Sequence, residues 1–351
     1  MAVSAVLCER VDHAASDGPG EGGASDRPHL CARRNSNMSD ETTINMFWQG
    51  PPVPPLVWAC MRSFVHHGHR VRVFSYSSLV VPAGVTLEDA HDVHPSRNVL
   101  DNHPAIAQHA DIFRYHLLYK YGGWWVDTDV YCLTGNLPVQ PYAWAEQEPG
   151  VLNNAILKFP KGDALCGELL AAALARSSGG LGQLREAIRV WRADVRNWRA
   201  AKGLLKKQLG WEDLGPKLVT EVLGRRQNIQ RGGSQSTFYP WHWLEASFAW
   251  LPRTRLLLEN RQRGAQFLHF WSYALRSMGV DLYKDPPADS LLAYIIRGCP
   301  NRVTSDAYDH LVTERAICAY MRQGSLRDKW KTIFMGDPLD LFPITCSDSA
   351  K

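Results

Sequence analysis

Residues 121–130 read Tyr-Gly-Gly-Trp-Trp-Val-Asp-Thr-Asp-Val. The apolar run Trp124–Val126 predicts a short buried strand, because bulky and β-branched side chains favour that conformation. Asp127 and Asp129 follow at the carboxyl end of this strand. In open α/β sheets, ligands bind beyond the carboxyl ends of the strands, so the stretch predicts a polar site at this edge.

A helix is predicted just before this strand, from about Pro104 to Tyr121. Proline suits the first turn of a helix, and the pair Gly122-Gly123 suits its end. Apolar residues recur along it with helical spacing, namely Ile106, Ala110, Phe113 and Leu117. The helix should therefore pack one face against the sheet.

The segments around this unit complete an α/β pattern. A buried strand is predicted at Thr43–Trp48, a helix at Leu56–His66 and a second strand at Arg70–Tyr76. A further strand is predicted at Val151–Phe159. Strand, helix and strand in succession indicate a parallel pair, so the predicted fold class is α/β with a mainly parallel central sheet.

Composition narrows the possible functions. The chain has 351 residues, 45% of them hydrophobic, and a formal charge of +4, so it does not require a nucleic-acid partner. It contains no run of about 18 apolar residues and no signal peptide pattern. The eight cysteines form no CxxC pair, which argues against structural zinc and favours reduced thiols. We therefore expect a cytoplasmic protein.

The sequence predicts three further parts of the chain. Residues 1–40 are rich in Gly, Ser, Asp and Arg and should be disordered. Residues 41–288 should form the catalytic domain, with a long basic helix inserted at 184–209. Residues 289–351 should form a helical C-terminal extension.

Asp127 and Asp129 could hold a divalent cation, because two carboxylates at one point are the hard oxygen ligands that Mg²⁺ or Mn²⁺ prefers. Two solvated aspartates at a strand end would give the same pattern. Asp111 and Arg114 lie three residues apart on the predicted helix, so they share a face. Their spacing is equally consistent with a surface ion pair and with residues that bind a sugar or a diphosphate.

Several segments together resemble a known family of enzymes. The quoted stretch, the preceding residues 110–119 (ADIFRYHLLY) and six other segments occur in the order found in glycosyltransferase family 32, a family of DXD-containing sugar transferases. The other segments are Phe47–Gly50, Asn153–Ala155 with Pro160–Gly162, Gly215–Thr220, and Phe238–Pro240 with His269–Trp271. The resemblance spans about residues 44–275 and implies a GT-A type, Rossmann-like nucleotide-sugar-binding fold.

The resemblance also implies a role for each matching residue. Trp48 should stack on the nucleotide base, with Gln49 beside it on the donor side. Asp111 and Arg114 should bind the donor sugar and ribose, and Asn154 should face the donor sugar or the acceptor. The metal and the diphosphate should be bound by Asp127, Asp129, His269 and Trp271. Asp129 should ligate the cation, and Asp127 should contact the cation and the ribose. His269 and Trp271 should close over the diphosphate, and His269 is also a candidate metal ligand.

The implied reaction is transfer of a hexose or N-acetylhexosamine from a nucleotide-diphosphate sugar, with UDP the expected nucleotide. The family resemblance implies retention of anomeric configuration and a requirement for Mn²⁺ or Mg²⁺. The expected acceptor is a glycan, a lipid-linked sugar or a polysaccharide. The arginines of residues 184–209 also allow peripheral association with an anionic membrane.

Three other functions fit parts of the pattern. Asp127–Val130 also fits the nucleophile loop of haloacid-dehalogenase-type phosphatases, although that loop normally follows the first strand of its domain. A sugar-binding module without activity would need the same pocket. A toxin-like transferase would share the chemistry and differ in using a protein side chain as its acceptor.

The substitution Trp48→Ala tests the implied base platform. Loss of the indole should weaken binding of the donor nucleotide, because an aromatic face on which the base stacks would be removed. The dissociation constant of the nucleotide measures this effect. An unchanged constant would remove Trp48 from the donor site.

Overall fold

A computed structural model describes residues 42–50, 52–95, 103–177, 188, 212–226, 228–250, 264–278, 280–288 and 290–297. Contacts between residues divide the chain into Met1–Ser39 and Asp40–Lys351, and all the described residues lie in the second unit. Within it, the first half of the unit contains both strands and helices, with six consecutive strands between residues 123 and 159.

Eleven strands occur in the described residues. In chain order they are β1 (Ile44–Phe47), β2 (Val71–Ser75), β3 (Val85–Asp89), β4 (Gly123–Val126), β5 (Val130–Cys132), β6 (Tyr142–Ala143), β7 (Glu146–Glu148), β8 (Val151–Leu152), β9 (Ile156–Phe159), β10 (Arg231–Gly232) and β11 (Phe267–His269). Seven of these strands form the central sheet in the order β10-β6-β9-β4-β1-β2-β3. The strands β5 and β11 form a second sheet, and β7 and β8 form a third.

The α-helices of the described residues are α1 (Pro55–His66), α2 (His103–Tyr121), α3 (Ala164–Ser177), α4 (Pro216–Leu223), α5 (Gln235–Phe238), α6 (Ser272–Ser277) and α7 (Leu291–Ile295). Short 3-10 turns lie at Ala90–Asp92 and Ala246–Trp250. None of the helices that the structure describes has the length and apolar character needed to cross a membrane.

The central sheet is mainly parallel, which confirms the predicted fold class. The strands β4, β1, β2 and β3 run parallel to one another, and β10 runs parallel to β6. Only β9, among the described strands of this sheet, runs antiparallel to its neighbours β4 and β6. Every residue of β1, β4 and β9 is buried, as expected for the centre of a sheet that is covered on both faces.

Gly122 explains why α2 stops where β4 begins. Its φ of +69° is a left-handed conformation that glycine adopts without strain. A Cβ atom at this position would lie 2.5 Å from the backbone nitrogen of Lys161. Glycine therefore lets the chain leave the helix, pass close to the loop after β9 and enter the centre of the sheet.

One predicted strand is wrong in its extent. Residues 151–159 form two strands, β8 and β9, separated by Asn153, Asn154 and Ala155. The side-chain oxygen of Asn153 accepts a hydrogen bond from the backbone nitrogen of Ala155 at 2.6 Å, which makes a local turn. This side-chain bond competes with the strand ladder, and the break exposes Asn154 to the helix α2.

Three predictions lie outside the described residues. These are the disorder of residues 1–40, the basic helix at 184–209 and most of the extension at 289–351. Within the extension, Leu291–Ile295 forms the short helix α7, and the serine before it caps the helix by accepting a hydrogen bond from the backbone nitrogen of Ala293.

Three histidines pack together near Tyr76, the residue that follows β2. The ring of His94 stacks on those of His109 and His116, with centroids 5.4 Å and 4.7 Å away. The hydroxyl of Tyr76 is hydrogen-bonded to Nε2 of His109 at 2.8 Å and donates to the carbonyl oxygen of His94. Burial, with a smaller contribution from the neighbouring imidazoles, lowers the pKa of both His109 and His116 to about 4.

We predict that this histidine stack makes the protein less stable as the pH falls. The folded pKa values near 4 lie below the ordinary value of 6.5, so the stability that the neutral rings contribute is present above pH 6.5. It is lost as the pH falls from 6.5 towards 4. Replacing His116 by Phe keeps the stacking but removes one titrating group, and it should reduce the loss of unfolding free energy between pH 7 and pH 5 by about 1 kcal/mol. Urea unfolding at the two pH values measures this, and an unchanged difference would contradict the prediction.

Candidate active site

Asp127 lies at the carboxyl end of β4, in the middle of the central sheet. Its backbone nitrogen donates to the carbonyl oxygen of Ala155 at 2.8 Å, and its carbonyl oxygen accepts from the backbone nitrogen of Val130 at 3.1 Å. The second bond closes a turn over residues 127–130. Asp127 and Asp129 are therefore the first and third residues of a turn rather than residues of one strand.

The turn directs the chain out of the central sheet and towards a distant segment. After it, β5 pairs antiparallel with β11, with Val130 opposite His269. The backbone nitrogen of Phe270 donates to the carbonyl oxygen of Asp129 at 2.9 Å. This pairing brings His269 beside two aspartates that precede it by about 140 residues in the sequence.

Asp127, Asp129 and His269 form a cluster in which one ligand atom from each lies within 4.8 Å of the others. Nε2 of His269 lies 3.3 Å from Oδ1 of Asp129. Asp129 and His269 are buried, whereas the side chain of Asp127 is 28% exposed. The cluster thus has two buried members and one that faces outward.

Arg114 connects this cluster to the helix α2. Its guanidinium lies 2.9 Å from a carboxylate oxygen of Asp111 and 3.2 Å from one of Asp127. It also lies over the ring of Trp125, at 4.9 Å from the centroid, and Trp125 donates its indole N–H to Oδ1 of Asp127 at 2.7 Å. Arg114 and Asp111 are both buried, which excludes the interpretation that they are a surface ion pair.

Asn154 completes the network from the break between β8 and β9. Its side-chain nitrogen donates to Oδ1 of Asp111 at 2.8 Å, and its carbonyl oxygen accepts from Arg114. Gly215 approaches from the start of α4, where an added Cβ atom would lie 3.0 Å from Nδ2 of Asn154 and 3.1 Å from Oδ2 of Asp111. A side chain at position 215 would therefore press on the two polar groups.

The pKa values of the three carboxyl groups differ because their partners differ. Burial raises the pKa of Asp111 to about 6, although Arg114 and the hydrogen bond from Asn154 act in the opposite direction. Burial also raises the pKa of Asp127, and Arg114 partly offsets it. Burial would raise the pKa of Asp129 as well, but His269 and the hydrogen bonds from His269 and Ser272 outweigh it and hold the pKa below the usual range. Asp129 is therefore ionised at neutral pH.

The donor atoms in the cluster fit a divalent cation. Asp129 supplies an ionised carboxylate, and Asp127 supplies a second carboxylate that is partly exposed. The Nδ1 atom of His269 is buried and has no hydrogen-bond partner among the described residues. Two carboxylate oxygens and one imidazole are suitable ligands for Mn²⁺, and carboxylate oxygens are suitable for Mg²⁺.

Trp271 lies next to this cluster. Its ring centroid is 4.0 Å from that of His269 and 6.1 Å from that of Tyr239. Its indole nitrogen is buried and has no hydrogen-bond partner among the described residues. That Trp271 covers the diphosphate stays a prediction.

Trp48 and Gln49 directly follow β1. The indole of Trp48 donates to the carbonyl oxygen of Gly50 at 2.7 Å. The side-chain oxygen of Gln49 accepts from the backbone nitrogen of Tyr76 at 3.1 Å, and its nitrogen donates to the hydroxyl of Ser77 at 3.2 Å. Gln49 therefore joins the ends of two strands, and the donor contacts of Trp48 and Gln49 stay predictions.

Three residues that contact the site have no function predicted from the sequence. They are Trp125, which holds Asp127; Ser272, which donates twice to Asp129; and Tyr239, whose hydroxyl accepts from the backbone nitrogen of Ile156 at 3.1 Å. The pattern around Trp125 indicated a buried strand but could not show where its indole N–H points. Ser272 follows Trp271 in a stretch without a pattern that would predict its partner, and only the fold shows that it bonds to Asp129.

Two comparisons with known sequences concern the region around the site. Residues 73–146 match the family of the glycosyltransferase sugar-binding region containing the DXD motif. Inositol phosphoceramide mannosyltransferase 3 of Schizosaccharomyces pombe is 39% identical over 64 residues, which are 18% of this chain and 18% of that protein. The region that matches the family, residues 73–146, contains Asp111, Arg114, Asp127 and Asp129 but not His269.

Two solved structures resemble the chain weakly. The PaToxG glycosyltransferase is 13% identical, and the alignment covers 79% of this chain and 83% of that one with a TM-score of 0.35. The UDP-bound glycosyltransferase domain of the YGT toxin is 9% identical, and the alignment covers 83% of this chain and 98% of that one with a TM-score of 0.37. The predicted glycosyltransferase class agrees with the two sequence comparisons, whereas neither of them distinguishes family 32.

We predict that Arg114→Met destabilises the protein, because it leaves two carboxylates near each other without their cation. Removing one partner from a buried charge cluster typically costs about 3–5 kcal/mol of unfolding free energy, and protonation of Asp111 should place the loss near the lower value. Urea denaturation at pH 7.5 measures it. Arg226→Met is the matched control, since Arg226 and Glu168 form an exposed pair at 2.9 Å whose loss should cost less than about 1 kcal/mol. Equal losses in the two variants would contradict the prediction.

Proposed function

We propose that this protein is a retaining, metal-dependent glycosyltransferase of GT-A type, related to glycosyltransferase family 32. The observation that carries the proposal is the cluster of Asp127, Asp129 and His269, whose two aspartates lie in the region, residues 73–146, that matches the DXD sugar-binding family. Mn²⁺ or Mg²⁺ bound by these residues would neutralise the negative charge that develops on the leaving nucleotide diphosphate.

The charges of the site support binding of a donor with a diphosphate and a sugar. Arg114 is buried, and its pKa lies above the ordinary value, because Asp127 and Asp111 outweigh the opposite effect of burial. It therefore stays protonated and fixed beside Asp127. The buried polar atoms of Asp111 and Asn154 face one another at 2.8 Å and offer hydrogen-bond partners for sugar hydroxyls.

Retention of configuration is supported by the state of the carboxylates. Asp111 and Asp127 are both paired with Arg114, and Asp129 is held by Ser272 and His269. None of these three carboxylates is placed as a free general base. In a retaining transfer the leaving phosphate can accept the proton of the acceptor hydroxyl on the same face, so a dedicated base is not required.

The proposed donor is a nucleotide-diphosphate hexose or N-acetylhexosamine, and the proposed acceptor is a glycan, a lipid-linked sugar or a polysaccharide. The name of the S. pombe relative adds mannose as a donor sugar and inositol phosphoceramide as an acceptor to the candidates, from a match to 18% of its length. A protein acceptor is the alternative. A cytoplasmic location and peripheral association with a membrane stay part of the proposal.

A phosphatase of the haloacid-dehalogenase type has less support. Its nucleophilic aspartate would have to be Asp127, which is held by Arg114 and by the indole of Trp125. It would also have to follow the first strand of the domain, whereas here it follows β4. These contacts thus favour Asp127 as a charged group that binds a ligand over Asp127 as a nucleophile.

A screen of donors tests the function directly. The purified protein is incubated with UDP- and GDP-sugars, including GDP-mannose, and Mn²⁺, and release of the nucleotide is measured. We expect release from at least one donor, with complete loss after chelation by EDTA. Release that does not depend on a metal, or phosphate release from simple phosphoesters without sugar transfer, would contradict the proposal.

Asp129→Ala should abolish transfer and metal-dependent binding of the donor, because it removes the ionised carboxylate of the cluster. We expect a loss of at least about 100-fold in turnover, as for removal of a group that stabilises charge in the transition state. Asp92→Ala is the control, since Asp92 is exposed and lies on the 3-10 turn after β3. Near-normal turnover of Asp129→Ala with the active donor would refute the assignment.

A further inference from the structure

Ser272, the first residue of α6, directs both of its donors to one oxygen atom. Its backbone nitrogen and its hydroxyl each lie 2.7 Å from Oδ2 of Asp129. Both distances are typical of strong hydrogen bonds to a carboxylate. Two such bonds from a single residue fix the orientation of the carboxylate plane.

The two oxygens of Asp129 consequently have different surroundings. Each carboxylate oxygen offers about two lone-pair directions, and Ser272 occupies both of those on Oδ2. Oδ1 instead lies 3.3 Å from Nε2 of His269, on the side of the three-residue cluster. Oδ1 is therefore the oxygen of Asp129 that is oriented for a cation.

The segment before Ser272 is bound to the same aspartate. The backbone nitrogen of Phe270 donates to the carbonyl oxygen of Asp129 at 2.9 Å, so bonds to Asp129 flank Trp271 on both sides. Trp271 has φ 50° and ψ 51°, and it is the only residue other than glycine with a positive φ in the described part of the chain. A left-handed conformation costs an L-residue about 1–2 kcal/mol, so the flanking bonds have to hold Trp271 in place.

We infer that Ser272 is a positioning residue for the metal ligand Asp129. It holds Oδ2 so that Oδ1 is the oxygen of Asp129 that faces the cluster, where a cation would be held, and it ties the orientation of this ligand to the backbone that carries Trp271. The inference rests on the proposed function, because it requires a cation at the cluster. Ser272 itself acts through Asp129 and is not assigned contact with the substrate.

The test compares three variants of the full chain by titration with Mn²⁺ alone. Ser272→Ala removes the hydroxyl, Ser272→Thr keeps it, and Ser277→Ala is the matched control. Ser277 lies on the same helix, is exposed and donates its hydroxyl to the carbonyl oxygen of Tyr273 at 2.9 Å. Electron paramagnetic resonance of free Mn²⁺ gives the dissociation constants without any measurement of activity.

We expect Ser272→Ala to weaken Mn²⁺ binding by about tenfold or more, as is typical when a partner of a metal ligand is removed. Ser272→Thr and Ser277→Ala should stay within about twofold of the wild type. With the active donor, Ser272→Ala should need more Mn²⁺ for half-maximal rate but recover most of its turnover at saturating Mn²⁺. The urea midpoint in EDTA separates this effect from a general loss of stability.

The outcomes distinguish the inference from the proposed function. A wild-type protein that binds Mn²⁺, combined with equal affinity in Ser272→Ala, overturns the role of Ser272 and leaves the proposed function intact. Equal weakening in Ser272→Ala and Ser277→Ala also overturns it, because the effect would then belong to the helix. A wild-type protein that binds no Mn²⁺ overturns both.

Discussion

The burial of Arg114 is the constraint on which the site depends. Burying a guanidinium away from water costs free energy unless carboxylates and hydrogen-bond acceptors surround it. Asp111, Asp127 and the carbonyl oxygen of Asn154 meet that requirement, and the ring of Trp125 covers one face of the guanidinium. These partners come from α2, the end of β4 and the break before β9. The guanidinium of Arg114 therefore holds three parts of the fold together.

A second constraint acts through the backbone. The turn after Asp127 releases the chain from the central sheet, and the new strand β5 finds its partner in β11. Pairing of Val130 with His269 places a histidine where it can complete the cluster. The carboxyl end of the parallel sheet supplies the aspartates, whereas the small antiparallel sheet supplies their third partner. The site therefore lies at the junction of two sheets rather than within one.

The helix and the strand that lead to Asp127 were predictable because they depend on local patterns. Apolar runs, Pro104 near the start of α2 and the glycines after Tyr121 determine these elements mainly through neighbouring residues. The division of residues 151–159 was not predicted, because the apolar residues on both sides concealed a turn made by the side chain of Asn153. The spacing of Asp111 and Arg114 left their role open, since spacing gives a shared helix face but not its burial.

The sequence by itself determined that two aspartates follow a buried strand at the edge of an α/β sheet, because hydrophobic periodicity and turn residues act over short distances. Its resemblance to sugar transferases also supplied the expected partners in their order along the chain. Only the tertiary structure decided that Arg114 is buried between Asp111 and Asp127, that His269 reaches Asp129, and that Ser272 holds one oxygen of that aspartate. These contacts join residues far apart in the chain or depend on burial, and both follow from how the elements pack rather than from any local pattern.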